Sequence, residues 1–425
     1  MYRRLLLIGL FLVGALVLGI GCGMAKTPIT MWLSSQPATI NEWAAVFEED
    51  FNKQNPDLQL SIEIYPSVSL QREKLYVAMA AGIAPDIVYD SANVMSQWVS
   101  NNVALPLDKY FNSWSGRNDM IPDVLNWVRF DDQLYGLPYS IWSIGDVYNM
   151  DLFAAVAIDR PQTWADMIAA AKRLTKVGAD GRVEVIGYNS RVVDLGSFIE
   201  VQAAMEQLGS TVIEVGAATA NLNSDAAHQA LSYIREVTQA GYPGTTGGTT
   251  DITMMLRGAM GIYHSFYGYN LTTIADAITS GGHNLEYHRF VGPTRNTDAI
   301  HGNGGMLFIP RTSNNPDAAW RVIEAFLAPQ NLKGYLLAHG AALPARRSLH
   351  TDRDLRALPW NTELMTVLQP PILAYGNRHF YATDFRTQAG AHFKEAILGL
   401  KSVEAALEQA QSLIDSIVAE KMAQQ

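Results

Sequence analysis

The 425-residue chain contains one cysteine, Cys22, which excludes an internal disulfide and any zinc site built on two or more thiolates. Basic charge is also scarce, with 31 Lys+Arg against 41 Asp+Glu and a formal charge of −10. Nucleic-acid binding draws on clustered Lys and Arg to neutralise phosphates, so this balance argues against that class. Blocks of like charge and repeats of solenoid length are absent, which excludes a disordered or fibrous chain. Catalytic motifs are missing too. There is no His-Glu-x-x-His, no Gly-x-Ser-x-Gly, and the glycine-rich Gly302-Asn303-Gly304-Gly305 lacks the Lys-Ser/Thr of a phosphate loop. His283 and His288 are read as surface or loop residues, and Asp180-Gly181 as a hairpin turn. No cofactor is expected.

Only one long apolar run exists, and it lies at the N-terminus. Arg3 and Arg4 precede the 16 uncharged residues Leu5–Ile20, followed by Gly21-Cys22-Gly23. Sixteen residues fall short of the about 20 that span a bilayer. A basic start, a short apolar stretch and small residues form a secretory signal. The ending Leu18-Gly19-Ile20-Gly21-Cys22 resembles a bacterial lipobox, with Gly19 where Leu is usual. Residues 1–21 are therefore expected to be a lipoprotein signal, Cys22 the lipidated residue and 22–26 a tether. The body would then lie outside the cytoplasm, anchored by lipid or in a periplasm. Loss of Arg3 and Arg4 would make it still more acidic.

Short β-like runs alternate with amphipathic helices, the pattern of an α/β protein. Ile29–Leu33 reads as a strand. Trp43, Val46, Phe47 and Phe51 share a helical face, and Leu58, Leu60, Ile62 and Ile64 alternate as in a half-buried strand. A helix near Gln71–Ala81 stops at Gly82, and Asp86–Tyr89 is a third strand. Thr163 is placed to cap a helix carrying Trp164, and Asn315-Pro316 to open another carrying Trp320; both tryptophans are assigned to the core. A last helix begins near Ser402 and presents Val403, Leu407, Ala410, Ile414 and Ile417 on one side. The Gly/Thr-rich stretch Gly241–Thr250 is expected to be a loop.

Several separated segments resemble the family 1 extracellular solute-binding proteins of bacterial ABC importers, the group that includes maltose-binding protein. They are Phe51-Asn-Lys-Gln-Asn-Pro56, Ala81-Gly-Ile-Ala-Pro-Asp86, Leu105-Pro-Leu-Asp108, Leu134-Tyr-Gly-Leu-Pro138, Tyr148-Asn-Met-Asp-Leu152, Pro161-Gln-Thr-Trp164, Arg257-Gly-Ala-Met260 and Leu343-Pro344. The eight short matches fall in the family's order and are spread over almost the whole mature chain. The resemblance implies a two-lobed periplasmic-binding-protein fold of the type II kind, with a ligand cleft between the lobes. One lobe would hold residues 27–138 and 294–343, and the other 139–290 and 346–425. Crossings would fall near 138–139, 290–293 and 344–346.

A sugar offers apolar C–H faces and a rim of hydroxyls, so its site combines aromatic plates with polar side chains. The resemblance directs attention to Trp32, to Ser34, Ser35 and Gln36 after the first strand, and to Asp90, Ser91 and Asn93 after the third. The carboxyl ends of strands are the ligand edge of an open α/β sheet. Tyr139 and Trp142 lie on the first crossing, Phe266 stands where relatives place a stacking Trp with Tyr267 beside it, and Gly304, Gly305 and Arg346 lie on the later crossings. Several have structural alternatives: Trp32 as core, Asp90 as a cap, the glycines as turn formers, Arg346 as the partner of a carboxylate. The expected activity is non-enzymatic capture of a sugar or oligosaccharide by a monomer, with delivery to permease subunits. A polyol or glycerol-phosphate receptor, which would call on Arg346 and Arg347, stays open, as do a tethered glycoside-degrading enzyme and a sensory receptor.

Overall fold

The computed structural model describes residues 26–424 apart from 35–36, 191, 243–248, 268–281, 296–299, 341–342, 359–360, 362–363, 366–371 and 375–377, and apart from the side chains of 249–251, 265–267, 300 and 374. Cys22 and its signal therefore lie outside the described residues. No described helix is long and apolar enough to cross a membrane.

Two mixed sheets carry the fold. The smaller has the order Leu58–Tyr65, Thr27–Ser34, Ile87–Ser91, Gly305–Phe308, Leu137–Pro138. Its first three strands are parallel, and Gly305–Phe308 runs antiparallel to both neighbours. Helix Thr39–Gln54 covers this sheet with Ile40, Ala44, Phe47 and Phe51 buried. Val46, expected on that face, is 60% exposed, because it falls off the i, i+4 row that joins Phe47 to Phe51. The same helix also guards the sheet's edge. The Asn52 amide donates to Leu60 O (3.0 Å) and accepts from Leu60 N (2.7 Å), and Glu48 accepts from Ile62 N (2.8 Å). These side chains occupy backbone groups that would otherwise recruit another strand. Helix Val68–Ala80 ends as expected at Gly82, whose φ of 70° allows Gly82 N to bond Met79 O (3.1 Å) and Ile83 N to bond Ala78 O (2.9 Å).

The larger sheet is organised by the long strand Ser140–Asn149. Met260–Tyr267 pairs with one side of it and leads on to Val183–Asn189. Along its other side Ile300–Asn303 reaches Trp142 and Leu285–His288 lies opposite Asn149 to Asp146, while Leu343–Pro344 pairs with Ile141 and Ser140 near the start of the long strand. Helices Trp164–Leu174, Asp194–Gln207, Asp225–Gly241, Ala382–Ile397 and Val403–Ala423 supply its core. Thr163 caps the first of these through Asp166 N (3.2 Å). Trp164 then stacks on Tyr233 at 4.3 Å, a contact worth about 0.5–1.5 kcal/mol beyond burial. Gly241 and Thr249–Thr250, read as loop from sequence, are the ends of two helices.

The chain passes between the sheets at Tyr139, at Gly304 and at Ala345. The second passage lies later than 290–293, because Ile300–Asn303 still pairs within the larger sheet. The third is marked by Ala345 N bonding Tyr139 O (3.1 Å) and Ile121 N bonding Ala345 O (3.1 Å). Beyond it, Leu349 and Leu355 join the smaller sheet's core, and Lys333 pairs with Asp352 (2.8 Å) and Asp354 (2.6 Å). The segment just after 346 thus packs on helix Pro329–His339 of the first body and not, as expected, with the second.

Candidate functional site

The carboxyl ends of Thr27–Ser34 and Ile87–Ser91 point toward the passages between the sheets, and the sequence candidates gather there. Ser91 lies opposite Gly305, Ala92 N donates to Gly304 O (2.9 Å), and Asn93 N donates to the Asn303 side-chain oxygen (3.2 Å). Trp142, half-buried, stands directly opposite Asn303 on the long strand. Ser91, Asn93, Trp142, Gly304 and Gly305 therefore form one neighbourhood where both sheets meet.

Trp32 is 7% exposed and tilts against Tyr65 at 4.9 Å. Its indole N–H is buried and has no acceptor among the described residues. Ser34 is buried at the same strand end, while Ser35 and Gln36 lie outside the described residues. Phe266 and Tyr267 pair with Gly145 and Ile144 after a register shift that follows Tyr263; their side chains also lie outside the described residues.

Three candidates are committed elsewhere. Asp90 is fully buried, and its carboxylate takes Arg72 Nε (2.9 Å), Arg72 Nη2 (2.6 Å), Trp98 Nε1 (2.9 Å) and Ser91 N (2.7 Å). Four donors leave it no face for a ligand hydroxyl. Its role is to anchor the strand end and the Ser91–Asn93 turn. Burial opposes the charge on Arg72, but the Asp90 carboxylate outweighs it and holds the guanidinium above its ordinary pKa. Tyr139 is equally internal. Its hydroxyl meets that of Tyr335 at 3.0 Å, and its ring packs edge-on against Tyr335 (5.0 Å) and Phe326 (5.2 Å). Arg346 donates through Nε to Asp119 (2.7 Å) and through Nη1 to Leu327 O, with its guanidinium 5.5 Å from the Trp114 ring centre. Burial works against the Asp119 charge, but bonds from Ser348 and Arg346 prevail and hold its pKa below the usual value.

The glycines have a packing reason. A Cβ on Gly304 would lie 1.9 Å from Ser140 O, and one on Gly305 would lie 2.5 Å from the Tyr139 ring. Gly302 meets the Trp127 ring in the same way, at 2.8 Å. These contacts allow the passages to lie against one another, backbone to backbone and backbone to ring.

Sequence reasoning missed Asn303, although it singled out the adjacent Gly304 and Gly305. It also missed a buried pair in the larger sheet's core. His264 Nδ1 lies 2.6 Å from Asp146, and Tyr148 donates to the other Asp146 oxygen at 3.2 Å. Burial disfavours the imidazolium, but Asp146 overcomes it and raises the His264 pKa above the ordinary value. Among the described residues, no group of three or more His, Cys, Asp or Glu could hold a metal ion.

Comparison with known proteins adds to this geometry. The profile of the bacterial extracellular solute-binding proteins matches residues 36–333. A Brucella abortus protein named only as a binding protein is 23% identical over 345 residues, which are 79% of this chain and 80% of that one. Among solved structures, the sugar-binding protein MalE of Xanthomonas citri superposes with a TM-score of 0.78 at 21% identity, covering 93% of this chain and 98% of its own. A cyclic α-maltosyl-1,6-maltose binding protein of Arthrobacter globiformis gives a TM-score of 0.78 at 17% identity, covering 93% and 99%.

Proposed function

Since the chain belongs to the bacterial extracellular solute-binding proteins, we propose that it is the receptor of an ABC importer for a neutral sugar or oligosaccharide. It would be held outside the cytoplasm by lipid on Cys22 and would hand its ligand to a membrane permease. The observation that carries the neutral-ligand reading is the fate of the two charged candidates. Asp90 is neutralised by Arg72, and Arg346 by Asp119. What remains at the junction of the sheets is Trp142, Ser91 and Asn93, a ring, a hydroxyl and an amide suited to an uncharged polyhydroxylated molecule. Both superposed structures named above are those of sugar-binding proteins, which supports the same class.

The transport step needs no chemistry on the ligand. The two bodies are joined by three passages, and hinge closure of binding proteins around a ligand is a well-documented transition. A ligand that contacts both bodies binds the closed form better and shifts the population toward it. Micromolar affinity corresponds to about −8 kcal/mol, within reach of stacked rings and a few hydrogen bonds.

The glycerol-phosphate alternative loses its cationic pair. Arg346 is engaged by Asp119, and Arg347 donates to Met120 O at 3.2 Å. A thermal-shift screen of the mature protein with neutral sugars, polyols and glycerol 3-phosphate separates these readings. Bound ligand adds RT ln(1 + [L]/Kd) to stability. A rise in Tm with a neutral sugar supports the proposal; a rise with glycerol 3-phosphate alone would contradict it.

A further inference from the structure

We propose that Asn303 is a specificity-determining ligand residue, with its side-chain amide held so that its N–H groups present themselves beside the Trp142 ring. The inference rests on the neutral-sugar reading and adds a residue to it. Asn303 is 5% exposed and ends the strand Ile300–Asn303, one residue before the chain leaves the larger sheet. Directly paired residues of an antiparallel ladder project to the same face, so Asn303 and Trp142 share one.

The orientation of the amide follows from its partner. Asn93 N is a donor and only the Asn303 oxygen can accept from it, at 3.2 Å. The Nδ2 group must then point the other way, and it has no acceptor among the described residues. An amide nitrogen that donates to no described residue is a donor that a ligand oxygen can take up. The strand cannot easily turn to bury the group elsewhere. Gly302, on the opposite face, lies against Trp127, and His301, on the same face as Asn303, is tied to Glu206 at 2.8 Å. Because the orienting N–H comes from the smaller sheet's side and the amide from the larger, the donor is correctly aimed only when the two bodies stand in register. A planar donor at the edge of an aromatic plate fits a sugar whose apolar face lies on the ring and whose oxygens lie at its rim.

Isothermal titration of wild type, Asn303→Asp and Asn303→Leu with maltose, mannobiose and D-tagatose tests this. Asn303→Asp keeps an oxygen for Asn93 N–H but replaces the N–H donors. Its ligand-free Tm should stay within about 2 °C of wild type, and its affinity for any sugar that wild type binds should fall at least tenfold. Asn303→Leu, similar in size, should show the same loss. Affinity within twofold of wild type in either folded variant overturns the assignment while leaving the sugar reading intact. Failure of wild type to bind any of the three sugars overturns the neutral-sugar reading and the assignment together.

Discussion

Replacing Asp90 by alanine separates an anchor from a ligand acceptor. The substitution strands the Arg72 guanidinium, whose side chain is 30% exposed, and removes the acceptor of the buried Trp98 indole N–H. Breaking a buried pair costs about 3–5 kcal/mol, and the partial exposure of Arg72 places this case near 3 kcal/mol. The orphaned indole adds about 1 kcal/mol. With an unfolding entropy of about 2 cal/mol/K per residue, a chain of this length loses roughly 1 °C per kcal/mol, so Asp90→Ala should lower the ligand-free Tm by about 4 °C. Adding Arg72→Met removes the unpaired charge, and the double variant should recover part of that loss. The assay is differential scanning calorimetry without sugar. An unchanged or raised Tm for Asp90→Ala would refute the anchor role and return Asp90 to the ligand.

The remaining expectations follow from the same contacts. Gly304→Ala drives a Cβ against Ser140 O and should yield a protein with a markedly lower Tm or none in the soluble fraction; a near-normal melt would show that the passage can relax. Trp142→Ala should weaken sugar affinity about tenfold by titration calorimetry, the upper end of a ring-stacking contribution, and a change under twofold removes it from the site. Burial depresses the His339 pKa to about 4. Its neutral form is therefore the native one, so its contribution is complete above pH 6.5 and is lost as pH falls toward 4, worth at most about 3 kcal/mol. His339→Phe should flatten that part of the Tm–pH curve. His264 has the opposite sign: with its pKa raised, it stabilises below pH 6.5, and that contribution is lost as pH rises through the folded value. His264→Gln should therefore cost more Tm at pH 6 than at pH 8.5. Fatty-acid labelling should mark wild type and not Cys22→Ser.

Much of the local structure was legible because its causes are local. Thr163 caps the helix three residues ahead of its bonded N–H, Gly82 takes the left-handed position that ends a helix, and the alternation from Leu58 to Ile64 marks one buried face of a strand. The position of Asp90 at a strand's carboxyl end was legible too, but its employment was not. Arg72 lies 18 residues away and Trp98 lies 8, and only the folded turn brings both donors onto one carboxylate. Arg346 and Asp119 are 227 residues apart, a pairing no spacing rule reaches. The second passage was misplaced because pairing of Ile300–Asn303 with the long strand depends on register, which requires the tertiary structure. Asn303 was hidden for a related reason. An asparagine among glycines reads as a turn, and its value comes from standing opposite Trp142 and next to Asn93.

Titration of the mature wild-type protein with maltose, mannobiose and longer neutral glycans, followed by chromatography of the recovered sugar, tests the central claim most directly. Saturable binding of one sugar per chain, with the sugar returned unchanged, is the predicted result. Absence of saturable binding across that series, or recovery of a cleaved sugar, would contradict it.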